Sequence, residues 1–519
     1  MEDVLKVITE PEMDLRGGDG DLPFEEAAPA ASPGPRSWFS GRRVHFIGIG
    51  GSGMNGLARM LLDSGAAISG SERELNFQTF ELAHLGANIS PHQNGELLAP
   101  DIDLVVRTAA ISDDNPEFLE AKRLGLKTIK YAELLGQVMQ ERLGVAVAGT
   151  HGKSTTTAMI SYALLQCGAD PSFVVGGTVP QLSGRGSRSG AGRAFVAEAC
   201  EFDRSFHSLR PRVAVVTNVD GDHFDCYKGI DDIVESFREF ARLVPRDGLI
   251  LANGQDDATR RAVNGLAAPV EWVTVERGPA GEIQPERRGE WCTHITGDDA
   301  GRYSGQVSFD GRVVARLSLA VAGRHNLFNA TMAVAVCRAC GVDPAAAADA
   351  INAFKGVDRR MTEVGKFAGA TVVDDYGHHP TEIRATLGAL RERYAPSRLL
   401  CIFQPHQHSR TRFLLDDFAA SFGQADETIV PDIYFVRDSE DERSRVNAHD
   451  LVEKIRGQGR SAVHLPDFAR IVQYLRGHAQ PGDLIVTMGA GDVWKIGKEL
   501  AGPGPVERAS PEPVERASP

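Results

Sequence analysis

The chain has 519 residues, 42% hydrophobic and 24% charged, and its 70 acidic and 56 basic side chains leave a formal net charge of −14. That length exceeds one core and points to about three domains plus tails; the composition excludes disorder over most of the length, and the negative charge argues against nucleic acid or an anionic membrane as partner. Seven cysteines without paired spacing, an N-terminus with neither a basic nor an apolar leader region, and no apolar window near the roughly 20 residues that span a bilayer lead us to expect a protein of the reducing cytoplasm without membrane insertion.

Residues 1–40 mix acids, Gly, Ala and Pro without periodicity, and residues 503–519 fall in a repeat of PVERASP, so both ends read as disordered tails. Between them strands alternate with helices, and the expected fold class is α/β in three domains: a Rossmann-like domain over 41–142, a central phosphate-loop domain over 143–356 and a second Rossmann-like domain over 357–502.

In the first domain Gly48, Gly50 and Gly53 match G-x-G-x-x-G between a strand and a helix, with Gly51, Ser52 and Met54 completing the turn and the first helical positions. Backbone amides there can approach a diphosphate at the positive helix end. Ser71 and Glu72 close the next strand, where an acid would meet a ribose hydroxyl. Taken alone this predicts NAD(H), although any diphosphate nucleotide satisfies the same geometry.

The second domain opens with GVAVAGTHGKSTTT, a variant phosphate loop with Val147 where the leading glycine usually stands and Gly149, Thr150, His151, Gly152, Lys153, Ser154 and Thr155 after it. Glycines let consecutive amides face phosphates, Lys153 supplies a point charge and Ser154 a hydroxyl for Mg²⁺, so ATP is the expected ligand. Two later strands end in VAEACEFD and TNVDGDHFD, placing Glu198, Glu201, Asp203, Asp220, Asp222 and His223 at the carboxyl edge where open α/β sheets bind ligands. Gly301–Gly323 alternates polar and apolar around Asp310-Gly311 and reads as a hairpin. Cys337 and Cys340 form a C-x-x-C within a helical apolar pattern and read as packing residues.

In the third domain DDYGHHPTEI crowds Asp374, Asp375, Tyr376, His378 and His379 into a turn before a helix, and FQPHQHSRTR adds His406, Arg410 and Arg412 after the next strand. Guanidinium groups in a first helical turn oppose the dipole and so imply an anionic partner. Residues 410–423 read as one helix.

With HFIGIGGSGM, GTHGKSTTT, EACEFDRSF, TNVDGDHFD, GRHNLFNATMAVAV, DDYGHHPTEI, FQPHQHSRTR and MGAGDVW in this order, the chain resembles the Mur ligases over roughly 43–500. The resemblance implies that the first glycine loop, with Gly48, Gly50, Gly51, Ser52, Gly53, Met54, Ser71 and Glu72, holds the UDP of a sugar substrate, while the central loop from Gly149 to Thr155 holds ATP. It implies the joining of L-alanine to the carboxylate of UDP-N-acetylmuramate through an acyl phosphate, releasing ADP and phosphate, in peptidoglycan precursor synthesis. By the same carry-over Lys153, Glu198, His223 and His378 are catalytic; Ser154, Glu198 and His223 hold two Mg²⁺ ions; His325, Asn326, Asn329 and Arg360 belong to the ATP site; and Tyr376, His378, His379, Arg410 and Arg412 line the amino-acid side. Cys200 and Phe202 stand where the family motif reads Asp and Ser, and Gln407-His408 replaces an Arg-Tyr pair. Alternatives are a recycling ligase of the same family that attaches a preformed peptide, a non-catalytic nucleotide-binding regulator, or an NAD-dependent oxidoreductase; the last leaves the Lys153 loop unexplained. Monomer and dimer are both open.

Overall fold

Short apolar runs rich in Val, Ile and Ala form strands buried on both faces, the signature of parallel sheets covered by helices. The computed structural model describes residues 37–108, 111–224, 226–277, 289–436 and 438–502, apart from the side chain of Ser52. The sequence expectations for 1–36 and 503–519 lie outside the described residues.

The first sheet is parallel, in the order β3 (Asn88–Ser90), β2 (Ala67–Ser71), β1 (Arg43–Ile47), β4 (Leu104–Arg107), β5 (Thr128–Lys130). The central sheet has ten strands: β6 (Leu143–Ala148), β7 (Ser172–Val179), β8 (Arg185–Arg188), β9 (Ala194–Glu198), β10 (Val213–Val216), β11 (Leu249–Asn253), β12 (Val270–Arg277), β13 (Glu290–Asp299), β14 (Arg302–Phe309) and β15 (Arg312–Ser318). They run in the order β15-β14-β13-β12-β11-β10-β6-β9-β7-β8, parallel except where β14 meets β13 and β15 and where β8 meets β7. The third sheet joins β16 (Thr362–Phe367), β17 (Ala370–Asp375), β21 (Leu484–Met488), β18 (Leu399–Phe403), β19 (Glu427–Val430) and β20 (Ala462–His464) in that order, with only the β16–β17 pair antiparallel.

This order positions the site. β6 lies between β9 and β10, so the phosphate loop, Glu198 and the 217–223 segment leave three adjacent parallel strands at one carboxyl edge. The helix Lys153–Gln166 is buried on every side from Thr156 to Leu164, its hydroxyl residues Thr156, Thr157 and Ser161 included. One buried cluster passes from Leu135 and Met139 of the first domain into Phe206, Phe237 and Phe240 of the central domain. Cys337 is buried within the helix Arg324–Ala339 and Cys340 caps it, and no disulfide joins any of the seven cysteines.

Two boundaries differ from the sequence reading. Residues 37–40 are not tail: Phe39 is 4% exposed in the core cluster, and Glu141 accepts hydrogen bonds from Ser37 Oγ and Trp38 N at 3.1 and 2.9 Å. The segment 410–423 is two helices, His408–Phe413 and Leu415–Ser421, broken at Leu414, where φ −106° and ψ 19° leave the helical region. Phe39→Ala is expected to cost about 3 kcal/mol; an unfolding midpoint unchanged by this variant would show that the segment does not dock.

Candidate active site

The phosphate loop is shaped by close approach. A Cβ on Gly149, whose φ is +145°, would lie 1.8 Å from Thr217 Oγ1, and one on Gly152, at φ +82°, 2.9 Å from Asn329 Oδ1. Thr217 Oγ1 donates to the His151 carbonyl at 2.7 Å and the His151 amide donates to Asn218 Oδ1 at 2.8 Å, strapping the loop to the end of β10. Lys153 Nζ donates to the carbonyls of Gly149 (2.5 Å) and Thr150 (3.0 Å) and pairs with Glu201 at 2.9 Å. Burial alone would lower the Lys153 pKa, but Glu201, with Cys200 and Glu198 nearby, reverses this and raises it, so the ammonium stays charged.

Ser154 Oγ donates to Glu198 Oε2 at 3.2 Å, and the Gly176 amide donates to Glu198 Oε1. Burial raises the Glu198 pKa against those bonds and Lys153, so the carboxylate is poised to gain from a cation. His223 adopts φ +54°, a left-handed conformation uncommon for a non-glycine residue, and its Nε2 is 3.7 Å from Glu201. The Phe202 ring meets it edge-on at 5.3 Å.

The third domain grips the loop that follows β10. Arg410 donates to both oxygens of Asp222 (2.8 and 3.3 Å), and both side chains are buried. His379 Nδ1 caps its helix by accepting from the Thr381 amide, so Nε2 carries the proton donated to the Gly221 carbonyl at 2.9 Å. Thr381 Oγ1 donates to Asp220 Oδ2 at 2.7 Å. His151 lies 3.4 Å from both Asp220 and Glu382. Burial would lower its pKa, but these two carboxylates raise it to about 9. Asp222 responds oppositely: burial pushes up, and Arg410 carries it far below the usual range.

Two cavities meet at the loop. One of about 930 Å³ is lined by His151, Gly152, Thr155, Asn218, Asn253, His325, Asn326, Asn329 and Arg360 among others. The second, about 710 Å³, has Lys153, Ser154, Glu198, Glu201 and His223 on the central side, Arg359, Arg360, Tyr376 and His378 on the third domain, and Asn55, Arg59, Phe77 and Glu81 on the first. Gly152, Arg360 and Glu382 face both.

The sequence is similar to known proteins over this whole region. Profiles of the Mur ligase family catalytic domain, middle domain and glutamate ligase domain match residues 43–143, 147–337 and 359–491. A UDP-N-acetylmuramate–L-alanine ligase of Caldanaerobacter subterraneus is 42% identical over 462 residues, 88% of this chain and 97% of its own. The chain belongs to the Mur ligase family. Another such ligase, from Acetivibrio thermocellus, is 40% identical over 459 residues, covering 88% of this chain and 95% of its own. Among solved structures, a UDP-N-acetylmuramate–alanine ligase of Thermotoga maritima aligns with TM-score 0.70 at 25% identity, over 88% of this chain and 98% of its own. A murein peptide ligase of Psychrobacter arcticus aligns with TM-score 0.64 at 27% identity, over 89% and 98%.

In this Mur ligase the expected site residues do not all face a ligand cavity. Lys153, Ser154, Glu198, His223, Tyr376 and His378 are brought together, as are His325, Asn326, Asn329 and Arg360. Met54 is 2% exposed and belongs to the core, because its helix turns that face inward. The Ser71 hydroxyl is buried on Glu117, whose other oxygen meets His45 at 2.9 Å; only the Ser71 carbonyl serves the glycine loop, accepting from the Gly48 and Ile49 amides. Glu72 reaches back to accept from the Gly50 amide at 2.9 Å, and Gly53 packs on Tyr131. Arg412 chelates Glu442 at 2.9 and 3.0 Å within the third domain and does not line the cleft. His379 and Arg410 hold domains together rather than lining either cavity. Asn55, Arg59, Phe77 and Glu81 escaped the sequence reading because they lie beyond the glycine fingerprint in no motif of their own; Phe77 is 77% exposed.

Two outcomes follow from the clasp. Asp222→Ala strands a buried guanidinium and is expected to cost about 3–5 kcal/mol, whereas replacing both partners by apolar residues recovers most of the loss; a double-mutant cycle on the unfolding midpoint checks this. The His151 pKa is raised on folding, so its contribution is fully present below its ordinary value of 6.5 and disappears as pH rises through about 9. The stability difference between wild type and His151→Gln should therefore shrink between pH 6.5 and 9.5, and a constant difference would refute the ion pair.

Proposed function

We propose that the chain joins the amino group of L-alanine to the carboxylate of UDP-N-acetylmuramate, driven by ATP cleavage to ADP and phosphate, in peptidoglycan precursor synthesis. The observation that carries this reading is the meeting of two cavities at one phosphate loop, with Gly152, Arg360 and Glu382 common to both walls. ATP takes the larger cavity, its base and ribose toward His325, Asn326 and Asn329. The sugar nucleotide takes the other, with its UDP toward the first domain and its carboxylate toward Lys153.

The donor set suits Mg²⁺ in part: a Ser154 hydroxyl and a Glu198 carboxylate oxygen lie side by side, and His223 with Glu201 offers a second position. Phosphate and water oxygens would complete the shells, as Mg²⁺ prefers. Held by these residues, Mg²⁺ would supply positive charge to offset that on the transferring phosphoryl group. Lys153, released from two carbonyls and Glu201, adds its own charge to the γ-phosphate. The muramyl carboxylate oxygen then bonds to the γ-phosphorus as the bond to ADP breaks, and the alanine nitrogen attacks the acyl carbon, expelling phosphate. His378 is kept neutral by burial, which lowers its pKa to about 4. Its Nδ1–H donates to the Tyr376 carbonyl at 3.1 Å, leaving Nε2 to accept the proton lost by the amine. The clasp from the third domain keeps water from the acyl phosphate. We place the reaction in the cytoplasm; no helix among the described residues is long and apolar enough to cross a membrane.

Phosphate release by the purified protein with ATP, Mg²⁺ and UDP-N-acetylmuramate should require L-alanine; release with a muropeptide tripeptide alone would move the protein to recycling, and none with any acceptor to a regulator. Lys153→Ala should lower turnover about 100-fold or more while leaving UDP-sugar affinity within about threefold, because the UDP lies toward the first domain and only the carboxylate approaches Lys153. Equal loss of both affinities would contradict that division.

A further inference from the structure

Away from the cleft, the β12–β13 pair carries three side chains of metal-ligating type. Parallel register sets Glu276 opposite His294 and Thr274 opposite Cys292, so Glu276, Cys292 and His294 share one face of the sheet. The alternate residues Val273, Val275 and Trp291 point to the other face, into the core with the helix Arg324–Ala339. The ligand atoms of the three, Sγ, an imidazole nitrogen and a carboxylate oxygen, all lie within 4.8 Å of one another. Cys292 is 3% exposed, while Glu276 and His294 are half-buried.

We propose that Glu276, Cys292 and His294 form a metal site for a borderline divalent cation of the zinc type, separate from the Mg²⁺ position at the phosphate loop. Tetrahedral Zn²⁺ with bonds of about 2.0–2.3 Å has edges of about 3.3–3.8 Å, so small side-chain adjustments close the set. On binding, the Cys292 S–H bond breaks, its proton goes to solvent and an S–metal bond forms. Thiolate and carboxylate then cancel the ion's double charge, and no net charge is left in a partly buried place. A sulfur and an imidazole ligand select against Mg²⁺, which demands oxygen. The fourth position remains for water, since three protein ligands leave a tetrahedral site open.

Separation from the catalytic position follows from strand order. β12 and β13 are three and four strands from β6, about 14 and 19 Å at ordinary strand spacing. The site nevertheless bears on the nucleotide: Val275 and Arg277 of β12 line the larger cavity, and the Val275 carbonyl accepts from Arg324 at 2.9 Å. A metal clamping β12 to β13 stiffens that wall.

The test uses the full chain, free of nucleotide, titrated with Co²⁺ alone. A thiolate-to-cobalt charge-transfer band is expected at one ion per chain, displaced by stoichiometric Zn²⁺ and unaffected by millimolar Mg²⁺. Cys292→Ser should abolish the band, and Glu276→Gln or His294→Ala should weaken binding about tenfold or more. His294 is half-buried, so His294→Ala decides the matter should the buried Cys292 variant fold poorly. Cys200→Ser, in the cleft, should leave the band intact. No band in the wild-type protein, a band that survives both Cys292→Ser and His294→Ala, or one lost in Cys200→Ser would overturn the proposal.

Discussion

The buried, two-pronged contact between Arg410 and Asp222 ties the third domain to the carboxyl edge of the central sheet, and the contacts made by the start of the helix Pro380–Tyr394 gather beside it. By itself a buried ion pair is weak evidence of stability, since desolvating two charges offsets most of their attraction. What it supplies is position. With the guanidinium fixed on Asp222, His379 comes to the Gly221 carbonyl, Thr381 to Asp220 and Glu382 to His151, all within one turn of the helix Pro380–Tyr394. The last contact reaches the phosphate loop, as does the His379 ring, 4.6 Å from that of His151, so the third domain and the loop touch through Glu382 and His379 together.

The same economy of charge holds the phosphate loop in shape. A P-loop crowds amides and an ammonium together, and buried donors left without acceptors are costly. Here Lys153 folds onto the loop's own carbonyls and onto Glu201, while Glu198 accepts from Ser154 and Gly176.

Much of the architecture was legible because strand, glycine turn and helix follow one another locally: the loops at Gly48 and Gly149, the hairpin at Asp310 and the acids at the ends of β9 and β10 all rest on contacts short in sequence. The misreadings share a different cause. Met54 and Ser71 lie inside recognisable motifs, but which way a side chain turns is set by packing against residues such as Glu117, distant in sequence. Arg410 meets an acid 188 residues away, and Arg412, two positions along the same helix, turns to Glu442 instead. Spacing alone cannot assign two arginines of one short helix to opposite jobs. Phe39 was taken as tail because its neighbours are Gly, Ser and Pro, whereas its burial depends on a core assembled by the rest of the domain.

The departures from the family motifs also separate once placed in space. Gln407 is 4% exposed at a φ of +70°, its backbone bonded to Tyr434 and Thr411, and neither it nor His408 lines the cleft. Phe202 lies with its ring against His223, where an aromatic edge restricts the imidazole that Glu201 approaches from the other side. Cys200 lines the cleft itself with its side chain exposed, its thiol pushed up by the surrounding cleft walls and by Glu201, and so neutral at physiological pH. A neutral group in place of an acid leaves Glu201 as the carboxylate paired with Lys153. The departure lowers the negative charge lining this part of the cleft, and it leaves the Ser154–Glu198 hydrogen bond untouched.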